Sequence, residues 1–286
     1  MRNMGWKLLY IFSFIILLYI FFQGFPYYTT PIAQRPFTSL HHLFKPGGTI
    51  GHGLGIIGSL MMIFMLAYSL RKRIRAFYHW GRLSTWLNVH IYFGIVGPLL
   101  VVLHSSFKLN GIVSISFWSM LLVMFSGILG RYLYLKIPRD FSGEELTLQK
   151  VQEEARQLIH QLDKEYHIDP QHVSAFLKKY QAKALEDKPL FLLWFHLMLF
   201  DLKKVRIYRE IRRWLEEAGV APHQQKALAT LIWKRIQLEF ELTLWNKIHL
   251  LFHYWHVFHK PFAIIMYLIM VVHAGIAIWL GYTWIL

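Results

Sequence analysis

The chain contains no cysteine. That absence excludes disulfides, thiolate zinc sites, cysteine-ligated iron–sulfur clusters and the covalent attachment of c-type haem. Any metal is left to histidine, methionine or oxygen ligands. Carboxylates are almost as restricted: all sixteen Asp and Glu lie between Asp140 and Glu241, where sixteen Lys and Arg leave the stretch neutral. The rest of the chain has fifteen basic residues and no acid. Charged residues make up only 16% of the whole against 55% hydrophobic and 17% aromatic, too apolar for an ordinary soluble domain and typical of a helical membrane protein. Basicity confined to the flanks of apolar runs is a topology signal, not a nucleic-acid footprint. No Gly-rich dinucleotide fingerprint, P-loop or repeat of solenoid period occurs in the 286 residues.

Five apolar segments are long enough to cross a bilayer, since about 20 residues at about 1.5 Å each span the hydrocarbon core. They run approximately 8–24, 50–70, 86–107, 112–135 and 256–280. The first follows Arg2 and Lys7 without a small-residue cleavage site and is read as an uncleaved anchor. Arg71–Arg75 with Arg82, and Arg131 with Lys136 and Arg139, fall on the side of the N-terminus, whereas Arg35, Lys45 and Lys108 fall on the other. This asymmetry predicts a cytoplasmic N-terminus, an outer C-terminus and parallel third and fifth spans, in a membrane of the bacterial inner type.

The expected architecture is therefore all-α: membrane helices one to four over 1–136, a cytoplasmic α-helical insert over 137–245, and the fifth span with a short tail over 246–286. Within the insert, Ser142 to Glu145 fits a capping box, Asp169-Pro170 fits an N-cap with proline at the first helical position, and Pro222 starts another helix. The apolar run from Pro189 to Phe200 is too short to span and reads as a buried or interfacial helix, with a partner-docking surface as the alternative.

Histidines carry the functional signal. The third span places His90 and His104 14 residues apart, and the fifth places His259 and His273 14 apart. Fourteen helical steps return to within about 40° of the starting direction and rise about 21 Å. Each helix thus presents two imidazoles on one face at two depths. On parallel helices His90 pairs with His259 and His104 with His273, and each pair can give both axial ligands to a b-type haem, because neutral imidazole binds iron in either oxidation state. His256, His253 and His249 share the approach to the fifth span. His256 or His253 is an alternative to His259, and Met270 stands 14 residues after His256, which leaves His/Met ligation open.

This constellation resembles the diheme transmembrane cores of the ferric reductase and NADPH oxidase superfamily, in which the third and fifth helices each contribute two histidines. It is similar in logic to cytochrome b of quinol-oxidising complexes. The resemblance covers the second to fifth helices and implies two b haems held by His90, His104, His259 and His273. The chain departs from the pattern in its helical insert of about 100 residues between the fourth and fifth spans, and no flavin or nicotinamide domain is expected from these residues.

Around the four ligands, Gly94 and Gly97 can admit the flat macrocycle or serve helix packing. Arg131 can bind a haem propionate or simply set topology. His52, in the glycine-rich start of the second span, can line a quinone pocket or a third redox site, with His41 and His42 weaker companions. His79 reads as interfacial, and His160, His167, His172, His196 and His223 show no ligand grouping. The expected function is electron transfer across the membrane, as a subunit of a quinone-linked or multi-component complex. The partners are a quinone or redox protein and membrane lipid, and not nucleic acid. A reductase core with a separate dehydrogenase chain is the nearest alternative. A histidine-lined transporter is a different class, disfavoured by spans without Asp or Glu.

Overall fold

The computed structural model describes residues 2–137, 149–150, 152–153, 156–157, 160, 164, 170–180 and 189–282. Every regular element among them is helical. Helix α1 covers Arg2–Thr29, α2 is the single turn His41–Phe44, α3 covers Thr49–Arg73, α4 Leu83–His104 and α5 Val113–Tyr134. There follow α6 (Pro170–Lys178), α7 (Leu190–Leu202), α8 (Lys204–Glu217), α9 (Pro222–Thr243) and the 35-residue α10 (Trp245–Trp279). Five of these helices, α1, α3, α4, α5 and α10, are long and apolar enough to cross a membrane. Their outward surfaces are aliphatic and aromatic, as at Phe12, Tyr19, Leu268 and Ile278, which places lipid against them and makes the chain an integral membrane protein.

The contacts divide the chain into two compact units, one formed by residues 1–131 with 255–286 and the other by 132–254. The expected insert, 137–245, falls within the second unit. No helix breaks at the edges of that unit: α10 runs unbroken through Tyr254, and the end of α5 is drawn into the second unit when Tyr132 Oη and Lys136 Nζ both bind Asp201 of α7, at 2.7 and 2.5 Å.

In the membrane unit α3 and α4 pack along their length, and glycine decides how closely. A Cβ at Gly58 would stand 2.9 Å from the Gly97 carbonyl oxygen, and one at Gly97 only 3.2 Å from that of Gly58. Without a hydrophobic driving force between helices in lipid, such small-residue crossings supply the close backbone approach. Ser116 Oγ donates to the Met266 carbonyl (3.1 Å) and Tyr267 Oη to that of Met62 (2.5 Å), which fasten α10 to α5 and α3.

The second unit has its own core. Ile207, Ile211 and Leu215, spaced by four on α8, are buried against Leu228, Ile232 and Ile236 on α9 and Val173 and Leu177 on α6. That spacing keeps one stripe of each helix inward while its charges face outward. Pro170 and Pro222 open their helices as expected. Asp169 and the Ser142–Glu145 box lie outside the described residues.

Candidate functional site

The four spaced histidines meet in the order that their helices dictate. His259 lies within Coulombic reach of His90, and His104 within reach of His273. Low numbers meet low and high meet high, so α4 and α10 run in the same direction. Two layers of paired imidazoles follow, separated along either helix by about 21 Å. Although α4 hugs α3, it shares no extended backbone contact with α10. The two histidine-bearing helices face each other across side chains and not through a close crossing.

Three of the rings are held at Nδ1. His90 Nδ1 lies 3.2 Å from the Met65 carbonyl oxygen and His104 Nδ1 2.8 Å from that of Gly51. A carbonyl only accepts, so in both rings Nδ1 carries the proton and Nε2 keeps its lone pair. His259 Nδ1 lies 2.8 Å from Ser126 Oγ, which is itself 3.0 Å from the Val123 carbonyl. With the hydroxyl proton on that carbonyl, Ser126 accepts from His259, and the tautomer is again Nδ1–H. His90, His104 and His259 are half-buried, whereas His273 is exposed and makes no ring hydrogen bond among the described residues.

Close backbone makes room for these rings. A Cβ on Gly55 would fall 2.5 Å from His104 Nδ1, so glycine lets this imidazole lie flat against α3. At the other layer Gly130 accommodates Trp255, whose indole N–H donates to the Ser126 carbonyl at 2.6 Å and whose ring centroid lies 5.0 Å from that of His259. Between the layers the interior is methionine-rich. Met62, Met65, Met120, Met266 and Met270 are buried together with Phe117, a soft and polarizable filling.

The remaining expected residues have clear places. Gly97 serves the α3–α4 crossing, and a Cβ added at Gly94 would stand 3.4 Å from Met65 Sδ. Met270 belongs to the methionine cluster. Arg131 is half-buried in the last turn of α5, within Coulombic reach of Tyr10. His52 is half-buried and within reach of His104, on the same level as the second pair. His41 binds Tyr27 Oη at 3.1 Å, while His42 and His79 are exposed. His256 is near His259 and meets Trp255 edge-on, and His249 turns back to the Trp245 carbonyl of its own helix.

Sequence reasoning missed the groups that orient the rings, namely Gly51, Gly55, Met65, Ser126 and Trp255. The spacing of four between Gly51 and Gly55 put both on one face of α3 and was a usable signal. Nothing in the sequence singled out the Met65 carbonyl. Fold and site together define a five-span helical membrane protein with two layers of paired imidazoles. Comparison with family models, with curated proteins and with solved structures finds no match to this chain.

Proposed function

We propose that the chain is a diheme b-type cytochrome that moves electrons across the bilayer, as the electron-transfer subunit of a quinone-linked or multi-component oxidoreductase. The supporting observation is the pairing of His90 with His259 and of His104 with His273, with Nδ1–H engaged in three of the four rings. His90 and His259 would hold one haem, and His104 and His273 the other. The donor set suits the group: neutral imidazoles with Nε2 presented, in spans that carry no carboxylate. When bound, haem supplies a reversible one-electron couple whose potential is tuned by its axial ligands and by burial.

The chain's own residues supply orientation and seclusion. The Met65 and Gly51 carbonyls and the Ser126 hydroxyl fix three rings and raise their basicity, the usual role of partners behind a ligating histidine. The buried methionine layer keeps water from the space between the two levels. Arg131 offers a guanidinium for a propionate. His52, beside the His104 and His273 level, faces exchange with a quinone or an extracytoplasmic redox protein. The basic loops support a cytoplasmic N-terminus, with this second level toward the outer face.

The test is an oxidised-minus-reduced optical spectrum of the purified protein with haem quantified as the pyridine haemochrome. Two b haems per chain are expected, and protein expressed with adequate haem supply that carries none overturns the reading. In the loaded protein, His52→Ala is expected to slow reoxidation by a quinone analogue without loss of haem.

A further inference from the structure

Helix α7 is the most apolar helix of the second unit, yet only part of it is buried. Leu193 and Leu197 are fully enclosed, whereas Phe195, Met198 and Leu202 are 53%, 43% and 69% exposed. At 100° per residue these three fall within about 60° of one another, on the side of the helix away from Leu193 and Leu197. One residue, Lys203, separates α7 from α8. The exposed face of α8 begins with Val205, 67% exposed, and continues through Arg209, Arg212 and Arg213, opposite the buried stripe of Ile207, Ile211 and Leu215. An apolar strip thus passes directly into a basic one.

Among the described residues, the carboxylates nearest the join of the two helices are engaged elsewhere. Asp201 is taken by Lys136 and Tyr132, and Glu210 by Lys179, Tyr180 and Arg206. Glu216 and Glu217 follow Arg212 and Arg213 by one helical turn, so the basic excess of the strip is greatest at its start, at Lys203, Lys204 and Arg209.

Depth follows from the same unit. Tyr132 lies in the last turn of α5, which is also the end of a membrane span. Its hydroxyl is 2.7 Å from Asp201 of α7, and its ring meets Trp194 of α7 edge-on at 6.4 Å. A helix tied to the closing turn of a span stands at the level where hydrocarbon gives way to headgroups, the level that Trp and Tyr favour. Thirteen residues, about 20 Å of helix, cannot cross. Exposed aliphatic and aromatic side chains at that level meet acyl chains, and the adjoining arginines meet phosphate.

We propose that α7 and the start of α8 form an in-plane membrane anchor selective for anionic lipid, with Phe195, Met198, Leu202 and Val205 in the acyl region and Lys203, Arg209, Arg212 and Arg213 on the headgroups. The geometry is that of an interfacial amphipathic helix, whose binding adds apolar burial to attraction for anionic lipid. The inference rests on the membrane character of the chain and not on haem.

The native chain has no cysteine, so a single Met198→Cys carries a bimane label without background. The full-length labelled protein is reconstituted in phosphatidylcholine, with or without phosphatidylglycerol, and quenched with lipids brominated on the acyl chain. Loss of most of the label's fluorescence is expected in both membranes, and more with phosphatidylglycerol. Removing charge with R209Q/R212Q/R213Q should abolish that extra loss, and a His223→Cys label on α9 should stay bright. An unquenched Met198→Cys label in both membranes overturns the anchor, as does shielding that needs a protein partner. Quenching indifferent to phosphatidylglycerol and to the triple variant overturns the selectivity.

Discussion

Ser126 stands behind His259, its Oγ 2.8 Å from Nδ1 while its hydroxyl donates to the Val123 carbonyl 3.0 Å away. An acceptor at Nδ1 pushes electron density toward Nε2, which strengthens the bond of that nitrogen to an oxidised metal. Ser126→Ala removes the acceptor without touching the ring. On the proposed diheme reading, the expected result is roughly tenfold weaker retention of the haem assigned to His90 and His259 and an upward shift in its midpoint potential, with the other haem unchanged. Redox titration at the two haem absorptions reads both effects. Equal shifts in both haems, or none, would separate Ser126 from the site.

Gly55 offers a complementary test at the other layer. Its Cβ would approach not a flexible chain end but a ring already held by the Gly51 carbonyl, with Nδ1, Cε1 and Cγ of His104 all within 2.8 Å. Gly55→Ala should therefore rotate or displace His104 and, on the proposed reading, release the haem assigned to it and His273. Gly275→Ala is the control, because nothing lies within 4 Å of the added methyl on α10. A pyridine haemochrome ratio near one haem per chain in the first variant and near two in the second is expected.

These residues mark how far the sequence could be read. The five spans were legible because membrane helices follow from unbroken apolarity alone, and the histidine pairs because a 14-residue spacing nearly closes a whole number of turns. Boundaries were less legible: the fifth span begins near 256 in hydropathy, but α10 starts at Trp245, since a helix need not end where its surroundings change from water to lipid. The partners of the rings were hidden for a different reason. A backbone carbonyl such as that of Met65 has no sequence signature, and only the packing of α3 on α4 brings it to His90. For Gly97 the sequence left a flat ligand and helix packing both open, and the structure sets it against the Gly58 backbone.

Outside the membrane, Glu210 gives the second unit a pH dependence. Its carboxyl is pulled down from the ordinary 4.5 to about 2, first by Lys179, then by the Tyr180 hydroxyl and Arg206. A depressed carboxylate contributes stability above its unfolded value and loses it as pH falls through the folded one. Thermal melting followed by circular dichroism should be insensitive to this group at neutral pH and decline between pH 4.5 and about 2. Glu210→Gln should melt a few degrees lower at neutral pH and lose that part of the acid dependence. Tyr180, raised by burial and by Glu210, acts at the opposite end, with its contribution complete below pH 10 and lost above it.

Arg35 is a buried cation in a unit that has no carboxylate to receive it, only 8% exposed and satisfied by main chain. Nε donates to the Thr30 carbonyl at 2.9 Å, Nη2 to Tyr28 at 2.8 Å and Nη1 to Ser106 at 2.6 Å, while the guanidinium lies over the Tyr27 ring. Ser106 and Phe107 both hold positive φ, 48° and 60°, a conformation that bulky L-residues adopt only when their surroundings enforce it. Ser106 also donates through Oγ to the Phe44 carbonyl at 2.5 Å. The turn so fixed begins one residue after His104, so on the proposed reading Arg35 would act as a positioning residue for that candidate ligand. Lysine keeps the charge but cannot fork three ways in a plane, and each stranded buried carbonyl costs about 1–3 kcal/mol. Arg35→Lys should therefore lower the melting temperature and broaden the electron paramagnetic resonance signal of the haem proposed for His104 and His273, while the signal of the haem proposed for His90 and His259 keeps its shape. Arg35→Ala should lose the first haem outright. A melting change with both signals intact would make Arg35 a fold-stabilising residue only, without influence on His104.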